Sequence, residues 1–172
     1  MDNDAVCSHP FSLMFILTDA VSAQGIEYED TGMILEIPSL SVSAEIVVAP
    51  FIDGAYSVYW LGNTAGLLEG TALPGQGPSV IAAHNHLSKS ESGPFVMLQY
   101  LKLGDKIFVM DQDGGMQSFT VYENTKIAED DVSGLTALAR GHDRPLLLLT
   151  CEDERAEGGY ANRRIIAAEP NR

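Results

Sequence analysis

Basic residues are scarce in this 172-residue chain: 10 lysines and arginines stand against 24 aspartates and glutamates, a formal net charge of −14 with the histidines neutral. That balance repels phosphate backbones and anionic lipid headgroups, so it excludes a nucleic-acid binder or a polybasic membrane-surface protein unless basic side chains cluster locally. They do not, since only Arg163-Arg164 places two side by side. Cysteine is scarcer still. Two residues, Cys7 and Cys151, are too few for the disulfide framework of a small secreted domain. Long apolar runs are lacking as well: the nearest, Phe11-Ser-Leu-Met-Phe-Ile-Leu17, falls short of the roughly 18–20 residues of a membrane helix. Met1-Asp-Asn-Asp4 lacks the positive start of a secretory leader. The chain therefore reads as soluble, of one domain's length, and its 45% hydrophobic content suffices for a sizeable core.

Texture divides the chain in two. Residues 1–32 mix a short apolar run with small and acidic residues and read as an N-terminal extension, partly helical. Residues 33–172 read as the folded domain. Its first segments, 33–37 and 42–48, are β-prone, and Val42, Ala44, Ile46 and Val48 alternate as in a half-buried strand. Further strands are expected over 79–84, 106–111, 116–123, 145–151 and 163–168. Asp111-Gln-Asp-Gly-Gly115 supplies the Asp-Gly signal of a tight hairpin between two of them. Two helical stretches interrupt the strands. Phe95, Leu98 and Leu101 share a face within 94–103, and Val132, Leu135 and Leu138 do so within 132–140. Many short strands with few helices indicate an all-β barrel or sandwich. The run Leu146-Leu-Leu-Leu149 reads as a buried central strand because it leads into a polar loop.

Three places carry chemistry. Cys151 closes that apolar strand just before Glu152-Asp-Glu154, where a rigid scaffold hands over to a loop; it suits a nucleophile, or else a small buried hydrophobe. His84-Asn85-His86 closes another strand. A histidine there can act as acid and base near neutral pH, the pair His84 and His86 can hold a metal with His9, His142 or Cys151, or both are ordinary surface histidines. Arg163 and Arg164 open the last strand, where a guanidinium can hold a carbonyl or support an oxyanion, or simply meet solvent. Alternation sends the two arginines to opposite faces.

In this order, with each element at a strand end, the residues resemble the sortase family of cysteine transpeptidases. Ala82-Ala-His-Asn85 resembles the family's strand ending in His. Gly93-Pro-Phe95, Leu98, Leu101, Gly104-Asp105 and Ile107 follow its next segment, and Leu147-Leu-Leu-Thr-Cys151 is similar to its Thr-Leu-x-Thr-Cys signature with leucine in the first place. Arg163 through Ala168-Glu169 fits its closing pattern, and Leu35-Glu-Ile-Pro-Ser39 its first strand.

The resemblance implies a closed eight-stranded β-barrel with a few short helices and the site at one end. It implies Cys151 as the nucleophile that forms a thioacyl-enzyme on a sorting signal, most often of the Leu-Pro-x-Thr-Gly type. His84 becomes the acid and base, and Arg163, rather than Arg164, the substrate and oxyanion ligand. The expected partners are a sorting-signal peptide of a surface protein or pilin and an amine from a cell-wall precursor or a pilin lysine. The expected place is the extracellular face of the cell membrane of a Gram-positive cell, the anchor being absent from this chain. No cofactor is expected. Acidic residues 129–131 and 152–154 offer oxygens for calcium but read better as solvated loops. Cys7 reads as a bystander, a disulfide to Cys151 being the other reading. A peptide hydrolase using the same three residues, and a non-catalytic β-barrel binding a protein or metal, are the competing readings. The acidic surroundings are expected to raise the pKa values of the site.

Overall fold

A strand that alternates apolar and polar residues has one face to bury, whereas a run apolar at every position must be covered on both. This chain contains both kinds of strand. The computed structural model describes residues 26–171. In chain order its strands are β1 (Glu29–Ile37), β2 (Val42–Ala49), β3 (Phe51–Ile52), β4 (Ala55–Tyr56), β5 (Ala65–Leu68), β6 (Ser79–Ala82), β7 (His86–Ser88), β8 (Glu91–Ser92), β9 (Lys106–Met110), β10 (Met116–Ala128), β11 (Leu146–Glu154) and β12 (Tyr160–Pro170). One helix, α1 (Val132–Ala139), lies between β10 and β11. Eight strands close a barrel in the order β1-β2-β5-β6-β11-β12-β10-β9, and β3-β4 and β7-β8 form separate hairpins. The pairs β2-β5 and β6-β11 are parallel, so the barrel is mixed. The all-β class, the eight-stranded closure and the few short helices are as expected from the sequence.

The Leu146 to Leu149 run shows why both faces of β11 are apolar. Leu146 and Leu148 enter the barrel core beside Phe95, Phe119 and Ile166. Leu149 points outward into a second cluster with Val58, Leu61, Ala82 and Ile165, onto which Leu135 and Leu138 of α1 pack. The helix is therefore a cover for the outer face. Asp131 caps it by accepting from the Gly134 N–H. The Tyr122 hydroxyl donates to the Leu138 carbonyl at 2.7 Å and fixes its far end. The expected hairpin is present: β9 and β10 pair on either side of the 111–115 turn, where Gly114 has φ of 84°.

The stretch 94–103 departs from expectation. It forms turns and a single 3₁₀ element, Leu98–Tyr100, instead of an α-helix. The Phe95 N–H donates to the His84 carbonyl at 2.9 Å, which ties the start of the segment to the barrel end. The spacing of Phe95, Leu98 and Leu101 is three residues per turn, the 3₁₀ period, and all three side chains are buried.

Candidate active site

Strand register builds the site. Leu149 is opposite Ala82 on one side, and Cys151 is opposite Arg163 on the other. Directly opposed residues project to the same face of a sheet. Cys151 lies two residues beyond Leu149, and His84 two beyond Ala82, so His84, Cys151 and Arg163 form a row across three neighbouring strand ends on the outer face. All three are buried. The ladder continues past the formal end of β6, since the Ala83 N–H donates to the Leu149 carbonyl at 3.1 Å. Thr150 Oγ1 donates to the Ala83 carbonyl at 2.8 Å. Asn85 Nδ2 donates to the Cys151 carbonyl at 2.9 Å, and the Asn85 side chain also bonds that of Tyr160. A buried asparagine thus fixes the cysteine strand against the histidine turn, a role the sequence did not single out.

Cys151 is disulfide-bonded, so its thiol chemistry is that of the reduced chain. Cys7, the other cysteine of the sequence, lies outside the described residues, as does most of the N-terminal extension.

His84 turns its ring toward the segment before β5. Its Nε2 lies 3.2 Å from the Tyr59 carbonyl; a carbonyl only accepts, so Nε2 carries the proton in that contact. Burial pushes the imidazole below its ordinary pKa, and hydrogen bonds to the Tyr59 and Val58 carbonyls oppose that only in part. Arg163 is likewise lowered, first by burial, with the Glu129 carboxylate opposing. The expectation that the acidic surroundings raise the site's values is therefore corrected: removal from water outweighs the field of the carboxylates. His86 is exposed while His84 is buried, so the two histidines do not face one another as a metal pair.

The His84 shift has a measurable consequence. Its folded value lies below the ordinary 6.5, so the unfolded chain takes up this proton first as pH falls. The stability contributed by neutral His84 is complete above about pH 6.5 and declines as pH drops below it. Between about pH 7 and 5.5 the melting temperature of the wild type should fall relative to that of His84→Asn. Parallel pH dependence in the two proteins would refute this.

Gly93 makes room for the histidine turn. A Cβ at this position would overlap the His84 carbonyl oxygen and lie 2.9 Å from the His84 Cβ. The Gly93 N–H donates to the Asn85 carbonyl at 2.8 Å, so the close approach is held in place. Gly93→Ala should cost about 1–3 kcal/mol in urea unfolding, the usual range for overpacking. An unchanged midpoint would show that the turn yields freely.

The two arginines have different surroundings. Arg164 projects to the opposite face and is gripped by Glu152 through Nε at 2.5 Å and Nη2 at 2.6 Å, with Nη1 donating to Asn124 Oδ1 at 3.1 Å. Arg163, on the cysteine face, donates from Nη2 to Glu129 Oε1 and from Nη1 to the Asn162 carbonyl, both at 3.1 Å. Four of the six acids in the segments considered for calcium have partners of their own. Glu129 and Glu152 hold these arginines, Asp131 caps α1, and Asp153 pairs with Lys126 at 2.7 Å. Among the described residues, no three His, Cys, Asp or Glu side chains converge as a metal site.

A cleft of about 200 Å³ opens beside Cys151, walled by Asn85, Phe95, Gln99, Thr150 and Tyr160 and rimmed by the acidic end of β11. Tyr160 packs against Cys151. The register sets Cys151 between the buried His84 and the buried Arg163, and of the three only Cys151 lines the cleft; a cysteine at a cleft edge in a closed barrel suits the class of thiol enzymes.

Comparison with known proteins specifies the class. A family model described as the sortase domain matches residues 35–171. Sortase C-1 from Actinomyces oris is similar in structure, with a TM-score of 0.63 and 27% identity over 81% of this chain and 73% of that one. Sortase A from Corynebacterium diphtheriae has a TM-score of 0.65 at 22% identity, covering 85% of this chain and 62% of that one. A pilus-related sortase C of Group B Streptococcus has a TM-score of 0.64 at 24% identity, covering 90% and 77%. No curated protein matches the chain. The chain belongs to the sortase family, a family of cysteine transpeptidases. Its structural matches span classes A, C and D and do not single out one of them.

Proposed function

We propose that this chain cleaves a sorting signal of the Leu-Pro-x-Thr-Gly type and transfers the acyl group to an amine. The observation that carries the reading is the register that lines up His84, Cys151 and Arg163 on one face. In the reduced chain, His84 takes the thiol proton as the sulfur attacks the backbone carbonyl carbon. Burial keeps the imidazole neutral and ready to accept. The C–S bond forms, Arg163 supports the developing oxyanion, and collapse breaks the C–N bond as His84 protonates the departing amine. An incoming amine then attacks the thioester; its C–N bond forms, the C–S bond breaks, and its proton passes through His84 back to the sulfur.

The substrate would lie in the cleft beside Cys151. The amine would come from a cell-wall precursor or a pilin lysine, which places the work at the extracellular face of the cell membrane. No helix among the described residues is long and apolar enough to cross a membrane.

The test is incubation of the fully reduced protein with a library of sorting-signal peptides, with and without an added amine, followed by mass spectrometry. An amide product that depends on the amine is expected. Cleavage to the free acid in equal amount with and without amine would assign a hydrolase instead, and neither product would end the reading. The oxidised protein should be inactive and recover with a dithiol reductant, because the sulfur cannot attack while it is bonded to another sulfur.

A further inference from the structure

A carboxylate that balances Arg163 comes from outside the row. Ile127 of β10 is opposite Arg163 of β12, and Glu129 lies two residues further on, immediately after the strand. The Glu129 N–H still donates to the Ala161 carbonyl at 3.2 Å, so the ladder persists and Glu129 projects to the same face as Ile127 and Arg163. Its two carboxylate oxygens are divided between two cations: Oε1 meets Arg163 Nη2 at 3.1 Å, and Oε2 meets Arg155 Nη1 at 3.0 Å. Arg155 belongs to the turn joining the Cys151 strand to the Arg163 strand, closed by its own N–H donating to the Gly159 carbonyl at 2.9 Å. The Arg163 side chain is 4% exposed and that of Glu129 22%, so the pair is largely withdrawn from solvent.

We infer that Glu129 is a positioning residue: it aims the Arg163 guanidinium along the Cys151 face and, through Arg155, ties the β11–β12 turn to the same carboxylate. The inference rests on the proposed catalytic role of Arg163. A planar guanidinium supports an oxyanion only when its N–H fork is aimed, and a carboxylate holding Nη2 supplies that aim. The carboxylate also moderates the cation felt by the sulfur. The other charged or titratable groups around this corner are His84 on the β6 side, Tyr160 and Arg163 on β12, Glu152, Asp153 and Glu154 at the end of β11, and Arg155 in the turn.

Two readouts should therefore move in opposite directions on Glu129→Gln, which keeps the shape and removes the charge. In the fully reduced chain, kcat for acyl transfer should fall about tenfold to a hundredfold, as misplacement of a catalytic group does, with KM changed less. The rate of Cys151 alkylation by iodoacetamide at about pH 7 should rise roughly threefold, because the guanidinium relieved of this carboxylate stabilises the thiolate more strongly. Glu129→Asp should restore part of kcat and return alkylation toward the wild-type rate.

A merely structural role would expose the buried sulfur, so kcat would fall and alkylation rise only in step with a lowered melting temperature, and that result overturns the inference, which expects the melting temperature to stay near that of the wild type. So does a variant that matches the wild type in both. The two readings fail separately. If the wild type transfers acyl groups and Glu129→Gln changes nothing, positioning is wrong and the transpeptidase reading stands. If the wild type transfers nothing but alkylation still rises in the variant, the transpeptidase reading fails, while the carboxylate's hold on the cation beside Cys151 is upheld.

Discussion

Cys151→Ala should reduce acyl transfer by at least about a thousandfold, to the background of the peptide in buffer, while the barrel remains folded. The size of the effect follows from chemistry, since without the sulfur no thioester forms and the remaining groups can only bind and polarise the peptide. Folding survives because Cys151 is at the strand end beside Tyr160 rather than in the main core, and alanine retains the strand conformation. The comparison needs the reduced wild type, because Cys151 is disulfide-bonded and the substitution removes that link as well. Product formation by mass spectrometry and melting curves on the same samples make the check. Residual transfer above about one per cent from a folded variant would mean that another group is the nucleophile.

Arg163→Lys should lower kcat by about 10²–10³-fold, the usual loss when one oxyanion donor is removed, with a smaller change in KM. Lysine keeps the charge and discards the planar fork. A single ammonium cannot hold the Glu129 carboxylate and the Asn162 carbonyl from the two arms of one planar group, as the guanidinium does. Arg164→Lys is the matched comparison, because Arg164 points to the other face and is occupied by Glu152 and Asn124. It should cost only a few-fold in turnover. Equal losses at the two positions, measured by initial rates over a range of peptide concentration, would show that Arg163 has no special part in turnover.

Much of the barrel was legible because its strands announce themselves by alternation or by continuous apolar runs. β2, β9 and β11 begin at or within a residue of where the pattern places them. β5 was not legible: Ala65-Gly-Leu-Leu68 has no alternation, and it is a strand because β2 and β6 pair with it on either side. The candidate site was legible in part. Alternation separates Arg163 from Arg164, and the structure places Arg163 opposite Cys151. The contacts that set the behaviour of these residues were hidden, because they join distant parts of the chain. His84 reaches Tyr59 across 25 positions and Arg163 reaches Glu129 across 34, and no local pattern announces such pairs. Nor does net charge report on a buried group, whose loss of water outweighs the distant carboxylates.

The parallel pairing of β6 and β11 also governs when the cysteine acquires its histidine. The bonds that bring the histidine turn to the cysteine strand join residues 66 and 67 positions apart, and a parallel pair cannot form from a local hairpin. Such long closures lose chain entropy before any contact rewards them, so they form late in folding. A chain emerging from synthesis therefore brings Arg163 to Cys151 through the antiparallel β11–β12 hairpin before the His84 turn arrives. The imidazole joins the cysteine strand only as the barrel closes.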